Sequence, residues 1–329
     1  LFAASIERFA GREGNFEHGV QLLATLKANR AWFMAGLGLF DEAVLEAQAC
    51  LELVSGINAH AVELRALMTQ GSVASRRGDA AGARRLLEAA LTLAQSINDQ
   101  WASALAAGQL GLLELRSGRL DEARALFDLA LATNDALGNT PGIVNDLDYL
   151  GRLSLEAGDA AAAAAHFEHG LELAEGVLFR LRVPYLKTQL ATAKLKLGDR
   201  EAAATAARDA KAVAEELGQR ALQAEASLIL GQVEPEAGAR HAHLLAALRI
   251  ADQLGEVQMT LAVLVELAQL PVFAPRAQGL LRMVEDHPAA SPAQRKRARD
   301  LLAGDESVTR PTVASRPREE PGHEVLPSL

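Results

Sequence analysis

The sequence predicts an all-α protein built as a linear stack of helical pairs, and three coincident series of residues predict it. Glycines recur at Gly38, Gly78, Gly118, Gly158, Gly198 and Gly238, forty residues apart each time. Seven residues before each of them stands a small residue: Ala31, Gly71, Gly111, Gly151, Ala191 and Gly231. Five residues after the first five glycines stands an alanine: Ala43, Ala83, Ala123, Ala163 and Ala203. Three series in phase identify an internal repeat, and a chain of 329 residues escapes the size limit of a single core by growing one repeat at a time.

Within a period the apolar spacing is helical. Leu110, Leu113 and Leu115 lead to a break at Ser117-Gly118. Leu120, Ala123, Leu126, Phe127, Ala130 and Leu131 then recur at three and four residues until Leu137-Gly138. Each period therefore reads as helix A, a tight turn at glycine, a longer helix B, and a second turn. Asp79, Asp159 and Asp199 follow the glycine directly, while Asp41 and Asp121 come three residues after it. An aspartate there accepts an unpaired backbone N–H and complements the helix dipole. Gly138, Gly218 and Gly255 each follow a leucine, as left-handed C-terminal caps do.

The small residues have a mechanical reason. Where helix A crosses helix B, a larger side chain would force the axes apart, so Gly111 is expected to face Ala123. A glycine inside a helix costs about 1 kcal/mol relative to alanine and persists where close approach repays it. Cys50 falls at the offset of Ala90, Ala130 and Ala210, and so reads as a small core residue.

Two further motifs carry a family resemblance. Leu110-Gly111, Leu150-Gly151 and Leu230-Gly231 resemble the L-G pair in helix A of tetratricopeptide repeats, and Ala123 to Phe127 and Ala163 to Phe167 resemble the A-x-x-x-F step in helix B. The resemblance implies a right-handed αα superhelix of about six repeats of roughly forty residues. The period is longer than that family's usual one, and the proline that closes its helix B is absent. The long repeat is similar to the C-terminal arms of MalT-like and AfsR/SARP-like bacterial regulators and signal-transduction ATPases. The segment Val284 to Leu302, VEDHPAASPAQRKRARDLL, is similar to the closing helices of those arms.

The expected organisation follows. Residues 1–17 are a remnant of a preceding helix, and 18–270 are the solenoid. Its repeats fall near 18–57, 58–97, 98–137, 138–177, 178–217 and 218–256, with one further helix. The sixth repeat is irregular: Gly238 keeps the phase, but Pro235 interrupts and Leu254-Gly255 comes early, so a distorted turn is expected. Residues 271–303 form divergent capping helices, the last starting at Ser291-Pro292 and bearing Arg295, Lys296, Arg297 and Arg299. Residues 304–329, rich in Pro, Arg, Glu and Ser, read as a disordered tail. The chain opens at Leu1 without an initiator methionine, which raises the expectation that it is one arm of a longer protein.

Composition narrows the function. Half of the residues are apolar and only 4% aromatic, and the net charge is −9. An acidic surface disfavours direct nucleic-acid binding by this segment. One cysteine excludes an internal disulfide and a thiolate cluster. The longest apolar run, Met259 to Leu270, is too short to span a membrane and carries Glu266, so no membrane partner is expected; the single cysteine fits a reducing, cytoplasmic compartment, and the resemblance implies a bacterial protein. The chain has no phosphate-binding loop, H-E-x-x-H or G-x-S-x-G. His166 with His169, and His241 with His243, read as solvated helix faces rather than metal ligands. No catalytic residue, cofactor or metal is predicted, and the chain is not read as an enzyme.

What remains is a protein-binding scaffold. In such solenoids the A helices line the concave side, where side chains are free of packing duty. Counting from each small residue gives groove candidates Asn29 and Trp32, then Arg65, Met68 and Ser72, then Leu105 and Leu112. The fourth repeat adds Asn145, Asp148, Tyr149 and Arg152; the fifth adds Tyr185, Thr188, Gln189 and Thr192. The chain's two tyrosines both fall here, and amides beside tyrosines suit an extended peptide. The foremost groove candidates are Trp32, Asn145, Asp148, Tyr149, Arg152, Tyr185, Thr188 and Gln189. The partners expected are protein or peptide segments, including other domains of the same full-length chain. The resemblance favours the sensor arm of a larger transcriptional regulator or signalling ATPase or kinase; a free-standing peptide-binding adaptor is the alternative.

Overall fold

The computed structural model describes residues 13–36, 38–176 and 179–309. Residues 1–12 and 310–329, which hold most of the expected leading remnant and tail, lie outside them. Among the described residues every regular element is a helix, and the chain divides into two compact units at Val233/Glu234.

The first unit is a stack of helical pairs: α1 (Glu13–Gly36) with α2 (Phe40–Leu53), α3 (His60–Arg76) with α4 (Ala80–Ser96), and α5 (Gln100–Arg116) with α6 (Leu120–Ala136). The stack continues with α7 (Thr140–Glu156) and α8 (Ala160–Gly176), α9 (Val183–Lys196) and α10 (Arg200–Glu216), and α11 (Arg220–Val233). Each helix packs on the one before and the one after it. First helices of neighbouring repeats also touch, α1 on α3, α3 on α5, α5 on α7 and α9 on α11, whereas second helices do not do so to a comparable extent. The first helices therefore form the inner, concave side. Helix B is not longer than helix A: α3 to α8 have 17 residues each. The first helices begin earlier than apolar spacing suggested, because they carry caps of their own. Asp99 accepts the N–H of Ala102 at 2.9 Å and Asn139 that of Gly142 at 3.4 Å. Asp79, Asp159 and Asp199 cap the second helices in the same way. Asp41 and Asp121 lie in the first turn without capping it.

The turns use left-handed backbone. Gly118 has φ +74° and Gly138 φ +62°, a region closed to most side chains. At the equivalent turn after α4, Asn98 takes φ +56°, the one non-glycine residue among those described to do so.

The seam inside each repeat corrects one expectation. Gly111 faces Phe127 rather than Ala123: a Cβ at Gly111 would lie 2.5 Å from the Phe127 ring, and one at Gly151 would lie 2.5 Å from Phe167. At Gly71 the facing residue is Leu87, 2.8 Å away. In the first and fifth repeats, where the small residue is Ala31 or Ala191, the facing residue is Ala47 or Ala207. Glycine is thus paired with a large side chain and alanine with alanine, so a bulky residue stands on this seam where its partner has no side chain. Phe127, Phe167, Ala47 and Ala207 are fully buried. Cys50 is buried too, its thiol donates to the Glu46 carbonyl, and burial pushes its pKa up to about 11.

The second unit contains α12 (Ala237–Leu254), α13 (Val257–Leu267), a 3-10 turn (Pro271–Arg276), α14 (Ala277–Asp286) and α15 (Pro292–Thr309). Gly238 keeps the forty-residue phase in sequence but not in structure. It is the second residue of α12 and lacks positive φ; the Glu236 carboxylate caps the helix by accepting from the N–H groups of Gly238 and Ala239. Leu261, Val265, Leu281, Val284 and Ala298 form this unit's core. Ser291 and Gln294 form a reciprocal capping box at the start of α15. That helix continues to Thr309, past Gly304 where the tail was expected to begin. Its basic residues are engaged within the unit: Arg297 with Glu266 at 2.8 Å, Lys296 with Asp300 at 2.7 Å, and Arg295 on the carbonyls of His287 and Pro288.

Candidate functional site

The residues singled out in the sequence divide by what their side chains do. Trp32, Asn145, Tyr149, Arg152, Tyr185 and Gln189 are half-buried on the first helices. Thr188 is buried, and its hydroxyl donates to the Pro184 carbonyl at 2.8 Å, so it serves the packing of α9 rather than the groove. Met68 is buried in the core as well.

Asp148 is also buried, but not idle. Arg182, at the start of α9, donates to its Oδ2 at 3.1 Å, while Oδ1 has no hydrogen-bond partner among the described residues. Burial pushes the Asp148 carboxyl upward, against the pull of Arg182 and Arg152. The same Arg182 guanidinium stacks 4.7 Å above the Tyr185 ring. One arginine thus bridges α7 and α9 and holds Tyr185 in place. Burial raises the Tyr185 hydroxyl well above its ordinary range.

Tyr149 lies at the centre of the concave face. Its ring is tilted against Phe127, with centroids 5.3 Å apart, and its edge would meet a Cβ at Gly108 at 3.2 Å. Burial pushes its hydroxyl up to about 12. Two recesses open on either side of it. One, of about 150 Å³, is lined by Trp101, Leu105, Gly108, Asn145, Asp146 and Tyr149. The other, of about 160 Å³, includes Trp32, Ser72, Gln109, Leu112, Arg116 and Tyr149. A larger trough of about 530 Å³ lies elsewhere, along α8 to α10. Both of its lysines are in ion pairs, Lys187 with Asp209 at 3.1 Å and Lys194 with Glu168 at 2.7 Å.

Sequence reasoning missed Asp146. It is buried, and among the described residues its one hydrogen bond comes from Asn134 Nδ2 at 2.6 Å; Asn139 in turn donates to Asn134 Oδ1 at 2.7 Å. Burial raises its carboxyl to about 7, despite the Asn134 bond. A hint stood in the sequence: Asp146 occupies the offset of Ala66, Ala106, Leu186 and Ala226, all buried apolar residues. Chemically, the concave face offers aromatic rings, amides and guanidinium groups without a nucleophile–base pair. No group of three or more His, Cys, Asp or Glu among the described residues could hold a metal, and no single helix there is long and apolar enough to cross a membrane.

Comparison with known proteins places this geometry. The tetratricopeptide repeat family model matches residues 102–176. No curated protein matches the sequence. Among solved structures, the apo form of RapI is similar, with TM-score 0.62 and 12% identity over 84% of this chain and 99% of that one. A signal-transduction ATPase with numerous domains (STAND) and a tetratricopeptide repeat sensor, from Pyrococcus horikoshii, gives TM-score 0.61 and 14% identity. That match covers 89% of this chain and 44% of the other. The Rap conjugation gene regulator of plasmid pLS20, solved with the Phr* peptide, gives TM-score 0.55 and 15% identity over 92% and 77%. At these identities the likeness is one of fold. Residues 102–176 match tetratricopeptide repeats, and the chain has the tetratricopeptide-like helical-repeat fold.

Proposed function

We propose that the chain is a non-catalytic scaffold that binds an extended peptide segment along the concave face of its first helices. The observation that carries this reading is the pair of side-chain-sized recesses flanking Tyr149. An extended chain sends successive side chains to opposite sides, so two pockets about one aromatic anchor suit it. Aromatic anchors in partly buried surroundings contribute most of the energy in such contacts. The Rap regulator bound to the Phr* peptide supports the reading by fold.

The test is to pan a phage library of random octapeptides on the whole chain and on its Tyr149→Ala variant. Wild type is expected to enrich related sequences that the variant loses at least tenfold, as removal of a buried aromatic anchor costs about 2 kcal/mol or more. Enrichment unaffected by Tyr149→Ala would rule out this groove. A narrower form of the reading makes the chain the sensor arm of a larger regulator, supported by its fold likeness to part of the STAND protein. A coding sequence that supplies no effector domain beside this segment would remove that narrower form.

A further inference from the structure

Four carboxylates are buried among the described residues: Glu114, Asp146, Asp148 and Glu266. Three of them meet arginine. Glu114 is held by Arg84 and Arg119, Asp148 by Arg182, and Glu266 by Arg240 and Arg297. Asp146 makes no ion pair with a described residue; Asn134 Nδ2 donates to its Oδ2, and Asn139 holds Asn134 in turn. Arg65 of α3 lies over the Trp101 ring, 5.8 Å from its centre, and not on this carboxylate. A buried charge without a counter-charge costs a fold stability. The same offset in other repeats holds the buried apolar residues Ala66, Ala106, Leu186 and Ala226. Packing there asks for an apolar side chain, so Asp146 stands against the stability of the fold.

Space is left in front of it. Asp146 lines the recess of about 150 Å³ together with Trp101, Leu105, Gly108, Asn145 and Tyr149. That volume equals about five waters at roughly 30 Å³ each, room for a single side chain. A Cβ at Gly108 would lie 3.2 Å from the Tyr149 ring and 3.8 Å from Asp146 Oδ1, so the missing side chain leaves room between ring and oxygen. A Cβ at Gly142 would collide with the Asn134 side chain, so glycine there lets Asn134 reach Asp146. Aromatic rings and a leucine beside a carboxylate suit a cation on an apolar stem. With Oδ2 engaged by Asn134, Oδ1 is left for that cation. A guanidinium pairs best with both oxygens of a carboxylate, whereas an ammonium is a point charge that one oxygen can meet. The Asn145 amide lines the same recess and can accept another of the three ammonium N–H groups. A basic ligand also suits a chain whose net charge is −9.

We propose that this recess is the subsite for a primary ammonium of the bound peptide, carried on a lysine side chain. Asp146 Oδ1 meets the charge, Asn145 accepts a further N–H, and Trp101, Leu105 and Tyr149 flank the stem. The proposal rests on the peptide-groove reading above and assigns its ligand class, a basic peptide.

The test uses the octapeptides selected by the whole chain, synthesised with free and with acetylated N-termini. They are expected to share a lysine at one position. Replacing it by norleucine, which keeps the stem, or changing Asp146→Asn should each weaken binding about tenfold to a hundredfold, as loss of a charged hydrogen bond does. The two changes together should cost little more than either alone. Asparagine keeps the shape and removes the buried charge, so this variant should unfold no sooner than wild type in urea, which separates lost binding from lost fold. Gly108→Val, which fills the space and leaves the charge, is the second variant and should lose the same peptides. If acetylation alone gives the loss, the ammonium is the peptide's own N-terminus, and the subsite stands. A shared arginine that binds better than lysine in its place would overturn the ammonium assignment. Selected peptides without a shared lysine, bound equally by wild type and Asp146→Asn whether acetylated or not, yet lost by Tyr149→Ala, would overturn the subsite and leave the groove. Failure of wild type to select any peptide would overturn both.

Discussion

The first helices have two sides that obey different rules, and the contrast explains both the fold and its use. Toward the second helices, the seam is apolar and set by steric fit: Gly111 takes Phe127, Gly151 takes Phe167, and Ala31 and Ala191 take alanines. Toward the concave side the same helices bury Asp146 and Asp148 and gather Arg76, Arg116 and Arg152. The seam repeats every forty residues because each repeat must fit the next. The groove does not repeat, because no neighbouring repeat has to match it. Departure from the period on the inner face thus marks the proposed groove.

The largest expected effect sets the two sides apart by pH. The Asp146 carboxyl rises from 3.8 to about 7 in the folded chain. The fold therefore favours its protonated form. Its contribution is intact below about pH 4 and is lost as pH climbs toward 7, a change on the order of 4 kcal/mol at most. Urea denaturation of Asp146→Asn should match wild type near pH 4 and exceed it in stability by up to that amount at pH 8. A stability difference that does not change with pH would show that this carboxyl is not held out of water.

The seam should respond to volume and not to pH. Gly111→Leu places a side chain in the Phe127 ring, with no slack in a fully buried site, and should cost about 3 kcal/mol. Phe127→Leu in the same chain should recover part of that loss, since one residue then yields what the other demands. Melting curves at pH 5 and pH 8 should show the same penalty. A penalty near zero would mean that the helices are not as closely approached as the Gly–Phe pairing implies.

The smallest effect tests the first helices at their starts. Asp99→Ala removes the acceptor for the Ala102 N–H and should cost about 1 kcal/mol, the usual worth of such a cap. Because α5 carries groove residues such as Gln109 and Arg116, the same change should weaken peptide binding slightly; thermal unfolding and titration read the two effects separately.

This division also says what could be read from the residues alone. The repeat, its helices and its left-handed glycines were legible because packing writes them periodically. The Gly111 partner was misassigned by one helical turn, since spacing locates a contact only to within a turn; the alternation of Gly/Phe with Ala/Ala sixteen residues apart was the missing clue. Spacing alone places Thr188 in the groove, because it does not reveal that the hydroxyl bonds the preceding turn. Gly238 kept the period but not the turn, as Pro235 and Glu236 start α12 in its place. Asp146 and its recess were hardest to see. A buried charge and an exposed one look alike in a sequence, and the difference is made by neighbours from other repeats.

The central claim, that the first-helix face binds and the second-helix face does not, is tested most directly by amide hydrogen exchange with and without a selected octapeptide. Slower exchange is expected in α3, α5, α7 and α9, around Gln109, Tyr149 and Tyr185, with α4, α6 and α8 unchanged. Slowing confined to the second helices, or none with a peptide shown to bind, would contradict it.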